Sequence, residues 1–393
     1  MRDGWREARL GELAEVVGGG TPRTSTSDFW GGEIVWLTPT EVVAAEGAIV
    51  TDSQRKITRT GLRSSGAKLL PPGTVLLTSR ATVGAVAMAG CELATNQGFQ
   101  SLIAGDDVLP WFLLIWIQHN KVEFTRRAGG STFPEISRPE VRRVPILLPP
   151  LDEQRRIIDL IAAVDGAIEA ADSLRDTCTG TLRSLGESAW LSESFRPLKD
   201  IGVGVTGRTP STTNAGYWSP PSVPFITPGD IGVDLFISSA ARMISTDGAA
   251  VSRVFPPHSV LQVCIGATIG KVGILARPAT CNQQINVLLG LEDHDALFLA
   301  LTLAAPSGMR YVLDSAGKTT LPLLSKSRWL ELKVPWPDAG LRQRTAQVAS
   351  SLEEIRQKAA RVATRLRTVR SALLSDLLSG DHEIPASYDE VMG

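Results

Sequence analysis

Residues 341–378 read LRQRTAQVASSLEEIRQKAARVATRLRTVRSALLSDLL. Within them Val348, Leu352, Ile355, Ala359, Val362, Leu366, Val369 and Leu373 recur at alternating spacings of four and three. That is the apolar seam of a coiled-coil helix sustained over about four heptads. Neither Gly nor Pro interrupts the run, and Ser379-Gly380 supplies a helix stop. Such a helix is about 55 Å long, and an apolar stripe along its whole length needs a partner to bury it.

The same chain offers one. Residues 151–192 repeat the pattern with Ile157, Ile161, Val164, Ile168 and Ala171, then, after a break at Arg175, with Cys178, Leu182, Leu185 and Ala189. This segment carries four Lys/Arg against eight Asp/Glu, whereas 341–378 carries eight against three. Like segments therefore repel and the unlike pair attracts. The expectation is an intramolecular pair of long helices; two amphipathic helices that each line a separate domain is the alternative. Gly166, Gly180 and Gly186 weaken the first helix and predict a kink or break near Thr179-Gly180.

At 393 residues the chain has room for two or three domains, and 43% hydrophobic with 21% charged residues is ordinary for a soluble globular protein. No apolar run reaches membrane-spanning length, and Met1-Arg2-Asp3 opens no secretory signal. Cys91, Cys178, Cys264 and Cys281 lack CxxC spacing and read as reduced thiols, so a cytoplasmic location without a membrane partner is expected. A net charge of −1 gives no global sign of nucleic-acid binding; any such surface must be local.

Outside the helices, the chain is two copies of one unit at a period of about 188 residues. Leu10–Pro22 answers to Leu198–Pro210, Trp30 to Trp218, and Trp36–Pro39 to Phe225–Pro228. Pro71–Leu76 answers to Pro256–Leu261, Ala81–Gly84 to Ala267–Gly270, Asn96-Gln97 to Asn282-Gln283, and Gly130–Pro134 to Gly317–Pro322. Each copy ends in a Pro-rich step (Leu148-Pro149-Pro150; Val334-Pro335-Trp336-Pro337) that opens a long helix. Strands are expected at 74–78, 83–87, 259–263 and 269–275, with one short helix per copy near 110–120 and 296–305. The resulting layout is a mixed α+β globule at 1–150, a helix at 151–192, a second globule at 193–340, a helix at 341–378 and an acidic tail at 379–393.

No catalytic constellation emerges. Gly202–Gly207 spells GxGxxG, but Pro210 follows and no helix opens there to receive a pyrophosphate. Gly317-Lys318-Thr319 resembles the end of a phosphate-binding loop, yet Val312 occupies the position of its first Gly. His119, His258, His294 and His382 are scattered and form no metal pattern. The polar residues on turns are of another kind. In the first copy they are Thr21, Arg23, Ser79, Arg80, Thr82, Gln97, Ser131 and Thr132. In the second they are Arg208, Thr209, Thr268, Lys271, Gln283, Lys318 and Thr319. These side-chain types contact phosphates and base edges, although turn residues are polar in any protein. Arg126, Arg127, Arg138, Arg142 and Arg143 add a basic stretch late in the first copy.

Leu147–Ile158 (LLPPLDEQRRII), Gly19-Gly20-Thr21-Pro22, Thr82-Val83-Gly84, Thr268-Ile269-Gly270, Asn96-Gln97 and Asn282-Gln283 stand in one order, repeated at one period. The whole arrangement resembles the specificity subunit of type I DNA restriction-modification systems; the second helix start, Pro337–Gln343, departs by lacking the Glu. The resemblance implies a non-catalytic reader of double-stranded DNA. Each globule would be a target recognition domain, and the two helices would form an antiparallel coiled-coil spacer. The helices would also dock methyltransferase subunits, two of them, and through these the restriction subunits. S-adenosylmethionine, ATP and Mg²⁺ would then belong to the partners, with no cofactor or metal in this chain. Arg23 against Ser211 and Arg80 against Ile265 imply unequal half-sites, hence an asymmetric bipartite target. A coiled-coil scaffold that does not read DNA, and an enzyme with its own catalytic centre, are the competing readings.

Overall fold

A computed structural model describes residues 4–130, 134–232, 234–317, 322–382 and 384. The chain divides into two compact units. Unit 1 comprises residues 1–169 and 363–393, and unit 2 comprises 170–362. Both division points fall inside long helices, so each globule keeps the near part of one helix and the far part of the other.

The globule of unit 1 is built on two larger sheets, beside a two-stranded pair of Arg6–Arg9 with Pro145–Leu148 that unit 2 repeats as Phe195–Pro197 with Lys333–Pro335. In the five-stranded one, Gln100–Ala104 lies between Ala14–Gly18 and Val75–Leu77, followed by Val86–Ala89 and the parallel edge Ile49–Val50. In the three-stranded one, Trp30–Leu37 pairs antiparallel with Lys56–Ile57 and parallel with Leu93–Thr95. Unit 2 has the same two sheets in the same order. Val203–Thr206, Ile285–Leu289, Val260–Val263, Val272–Leu275 and Phe236–Ile237 make the larger. Met243–Ile244, Val223–Ile226 and Thr280–Cys281 make the smaller. Gly202–Gly207 is thus mostly sheet strand. The central strands are buried on both faces because a helix covers one side: α1 (Pro110–His119) in unit 1 and α3 (Asp293–Ala304) in unit 2. Pro110 opens α1 in its first turn, where no backbone donor is needed. Each unit also has further short helices that the sequence pattern does not announce, among them Lys121–Arg127 and Pro306–Ser315.

The long helices are α2 (Leu151–Ala189) and α4 (Ala339–Ser379). No break occurs at Thr179-Gly180. Helical backbone continues through Gly180, and a Cβ placed there would meet no atom within 4 Å; the glycine is tolerated because its surroundings are open, not because the chain turns. In unit 1, Ile157 and Ile161 cluster with Leu374, Leu377 and Leu378, while Asp165 meets the Arg370 guanidinium at 2.8 Å. Numbers rise on one helix as they fall on the other, so the pair is antiparallel. In unit 2, Leu182 packs in one core with Ala346, Ala349 and the half-buried Leu352.

Half of the expected α4 seam is turned inward: Leu352, Ala359, Leu366 and Leu373 are buried or half-buried, and the alternate four residues are not. Ile157, Ile161, Ile168 and Leu182 of α2 are buried, and Val164, Leu185, Leu352, Leu366 and Leu373 are half-buried. Val348, Ile355, Val362 and Val369 are between 41 and 53% exposed. Beside Leu352, Ala359, Leu366 and Leu373, the inward side of α4 also carries Ala346, Ala349, Glu353 and Ala363. Small side chains let the backbones approach closely, and buried Glu353 is held by Arg356 at 2.7 Å, which also reaches Asp234 at 2.6 Å.

Helix starts differ between units for a physical reason. In unit 1, buried Gln154 accepts from the Leu109 N–H at 2.8 Å and donates to the Asp107 and Pro149 carbonyls. In unit 2, Gln343 is exposed, and Arg342 takes over the anchoring. It donates to Asp295 at 2.7 Å and to the Pro337 carbonyl, and lies 4.3 Å from the Trp336 ring.

Candidate nucleic-acid interface

In each unit the polar turns converge on the end of the smaller sheet. The loop Gly19–Arg23 runs against Asn96-Gln97: Gly20 N–H donates to the Thr95 carbonyl at 2.9 Å, and the Thr21 hydroxyl donates to the Gln97 side-chain carbonyl. A Cβ on Gly19 would lie 2.0 Å from the Asn96 carbonyl oxygen, so only glycine permits this approach. Unit 2 repeats the geometry. Thr209 donates to Gln283 at 2.6 Å, and a Cβ on Gly207 would lie 2.2 Å from the Asn282 carbonyl oxygen.

Asn and Gln of each pair have separate roles. Asn96 Oδ1 accepts from the Gly98 N–H at 2.8 Å and Asn282 Oδ1 from the Gln284 N–H at 3.1 Å, which closes the turn. Gln97 and Gln283 are exposed and point their amides to the Thr. The next turn joins the same cluster, with Ser79 N–H on the Gly98 carbonyl at 2.7 Å and Cys264 N–H on the Gln284 carbonyl at 2.8 Å.

Here the units diverge. Arg80 faces Glu135 across a bridge and pairs with its carboxylate at 2.8 Å; the corresponding bridge in unit 2 joins Ile265 to Leu323. One unit presents an ion pair where the other presents two aliphatic side chains.

Thr21, Arg23, Arg80, Thr82, Gln97, Arg208 and Gln283 are exposed, and Thr209 and Thr268 are half-buried. Ser79 is fully buried, so its hydroxyl is removed as a surface contact; it sits beneath the turn that Arg80 crowns. Lys271 lays its stem against Gly232, on the loop before the edge strand, and takes no part in the Thr209–Gln283 chain. Ser131, Thr132, Lys318 and Thr319 lie outside the described residues. In the basic stretch late in the first copy, three of the five arginines share two carboxylates: Arg126 pairs with Glu123, and Arg127 and Arg143 with Glu140.

Two residues absent from the motif reading belong to this cluster. Arg55 lies 3.5 Å from the Trp30 ring centre, and Arg242 lies 4.3 Å from that of Trp218. The signal was in the repeat, since Arg55-Lys56-Ile57 matches Arg242-Met243-Ile244. Among the described residues no three His, Cys, Asp or Glu side chains gather as a metal site.

Comparison with known proteins gives a consistent result. The family model for the type I restriction modification DNA specificity domain matches residues 2–174 and again 193–360. The MjaIX specificity subunit of Methanocaldococcus jannaschii is 35% identical over 167 residues, 42% of this chain and 39% of that one. The HindI specificity subunit of Haemophilus influenzae is 30% identical over 190 residues, 48% of this chain and 41% of that one. The chain thus spans about two fifths of the length of these relatives. Two solved structures share the fold. A chain described under complex assembly and conformational transition of the type I restriction-modification system has a TM-score of 0.61 at 19% identity, covering 97% of this chain and 99% of that one. The type I S subunit from M. genitalium has a TM-score of 0.59 at 15% identity, covering 97% of each chain.

Proposed function

The chain belongs to the type I restriction modification DNA specificity family, and from that premise we propose that it is the DNA-reading subunit of a type I restriction-modification complex. Each unit reads one half of a split target with the turns gathered around Thr21–Gln97 and Thr209–Gln283. Arg23, Arg80 and Thr82 in the first unit, and Arg208, Thr268 and Lys271 in the second, supply further contacts, together with Ser131, Thr132, Lys318 and Thr319. Methyltransferase subunits, two per chain, dock on the helices and carry the restriction subunits. S-adenosylmethionine, ATP and Mg²⁺ act in those partners, and this chain contributes no catalytic group.

The observation that carries the reading is one polar scaffold built twice with its crown changed. The Thr–Gln bridge and its glycine are common to both units, while the Arg80–Glu135 pair is replaced by Ile265 and Leu323. An ion pair and two aliphatic side chains recognise different base edges, so the half-sites differ.

The test is co-expression with the methyltransferase subunits encoded beside this chain, followed by mapping of methylated bases in the host DNA. A split, asymmetric motif methylated only when this chain is present is the expected result. Assembly without any motif identifies a scaffold, and modification of DNA by the chain alone identifies an enzyme; either overturns the proposal.

A further inference from the structure

The Arg–aromatic stack is an exposed cationic feature that both units build in the same way. Trp30 and Trp36 meet edge to face with ring centres 5.0 Å apart, and the Arg55 guanidinium lies over Trp30 and 5.6 Å from Trp36. In unit 2, Trp218 and Phe225 meet edge to face at 5.5 Å, and Arg242 lies over Trp218 and 5.6 Å from Phe225. The backbone fixes both in register: the Arg55 carbonyl accepts from the Trp36 N–H at 3.3 Å, and the Arg242 carbonyl from the Phe225 N–H at 3.0 Å. The lower ring is tied to the reading loop. Trp30 Nε1 donates to the Arg23 carbonyl at 3.3 Å, and Trp218 Nε1 donates to the Ser211 carbonyl at 3.0 Å. Both arginines are exposed, and among the described residues neither forms an ion pair with a carboxylate, whereas neighbouring Lys56 pairs with Asp52 and Arg80 with Glu135.

A guanidinium stacked on an aromatic face keeps its N–H edge free and loses little freedom when that edge binds. The ligand matching such a flat, cationic edge is a phosphate. Because both units carry the stack while their crowns differ, the contact cannot encode the difference between half-sites; it belongs with sequence-independent positioning. We infer that Arg55 and Arg242, each preorganised on its tryptophan, are paired clamps for the DNA phosphate backbone that set each unit on the duplex, leaving base choice to the diverged turns.

This rests on the DNA-reading function proposed above. Arg55→Gln, Arg242→Gln and the double variant, each in the full chain assembled with its methyltransferase subunits, are titrated with random-sequence duplex DNA at several salt concentrations. Each single change lowers the slope of log affinity against log salt by about one, and the double change by about two. The methylated motif keeps both half-sites. Arg55→Lys and Arg242→Lys, which keep the charge, hold the wild-type slope. In parallel, the wild-type assembly is treated with an arginine-specific dicarbonyl reagent, and both residues are expected to react when free and to be shielded by the duplex. Unchanged slopes in folded variants, a changed half-site, or no shielding overturns the clamp alone. A wild-type assembly with no salt-dependent duplex binding overturns the function on which it rests.

Discussion

His258 stands at φ +62°, in the turn where its counterpart Gly73 stands at +83°. Both follow a Pro-Pro pair, and the turn needs a left-handed residue at this point. For a residue with a Cβ that conformation costs roughly 1–2 kcal/mol, while glycine surrenders about 0.5–1 kcal/mol more chain entropy on folding. His258→Gly should therefore raise stability by about 0.5 kcal/mol, read as a higher denaturant midpoint; the exposed contact to Asp293 at 3.3 Å adds little to oppose it. A lower midpoint would show that the turn's geometry is not what limits it. His119 gives a pH signature. Burial, and then the nearby Arg370 charge, hold its imidazole below the ordinary value of 6.5. The folded form therefore resists protonation: this contribution to stability is full above pH 6.5 and is lost as pH falls through the lowered folded value. The melting temperature should drop on acidification from about 6.5, with a shallower drop in His119→Gln; parallel curves would sink this account. At this scale the sequence is half informative. It marks Asn96-Gln97 and Asn282-Gln283 as a repeated pair, but it cannot say that Asn closes the turn while Gln faces outward, because both are amides with the same bonding capacity.

Among the elements, α2 makes a contrast that helix propensity alone would miss. Gly180 has open space where a side chain would be, whereas a Cβ on Gly186 would come within 2.3 Å of the Leu301 carbonyl oxygen on α3. Replacing a mid-helix glycine by alanine is worth about 0.5–1 kcal/mol where nothing obstructs it. Gly180→Ala is thus expected to raise the melting temperature of the full chain, and Gly186→Ala to lower it by pushing α2 off α3. Equal effects of the two changes would remove the close approach as the reason for Gly186. Periodicity located both long helices and the stop at Gly380 but gave only half of the α4 seam. A four-three repeat defines two heptad positions without stating how the facing helix is rotated: Leu352, Ala359, Leu366 and Leu373 face inward with neighbouring alanines, and Val348, Ile355, Val362 and Val369 are turned away. Arg342 replacing Gln154 was equally hidden, since Asp295 is 47 positions away in sequence.

For the whole molecule, the internal repeat was the most legible feature, because two copies at one period test each other: matching residues such as Gly19 and Gly207 are matched for a shared steric reason. What the repeat does not show is which matched residues face outward: Ser79 is buried, whereas Arg55 and Arg242 are exposed. In the proposed function, the length of the paired helices is the remaining variable, for it separates the two reading turns along the duplex. Each heptad adds about 10.5 Å of helix, and each base pair of B-DNA occupies about 3.4 Å. Seven residues inserted after Glu169 and seven after Val362, where the units divide, keep the helices in register and leave each globule its own helix segments. The unread gap in the methylated motif should then lengthen by about three base pairs while both half-sites stay the same. Insertion in one helix alone offsets the antiparallel register and should abolish the motif. An unchanged gap after the double insertion would mean that the spacing is set elsewhere than in these helices.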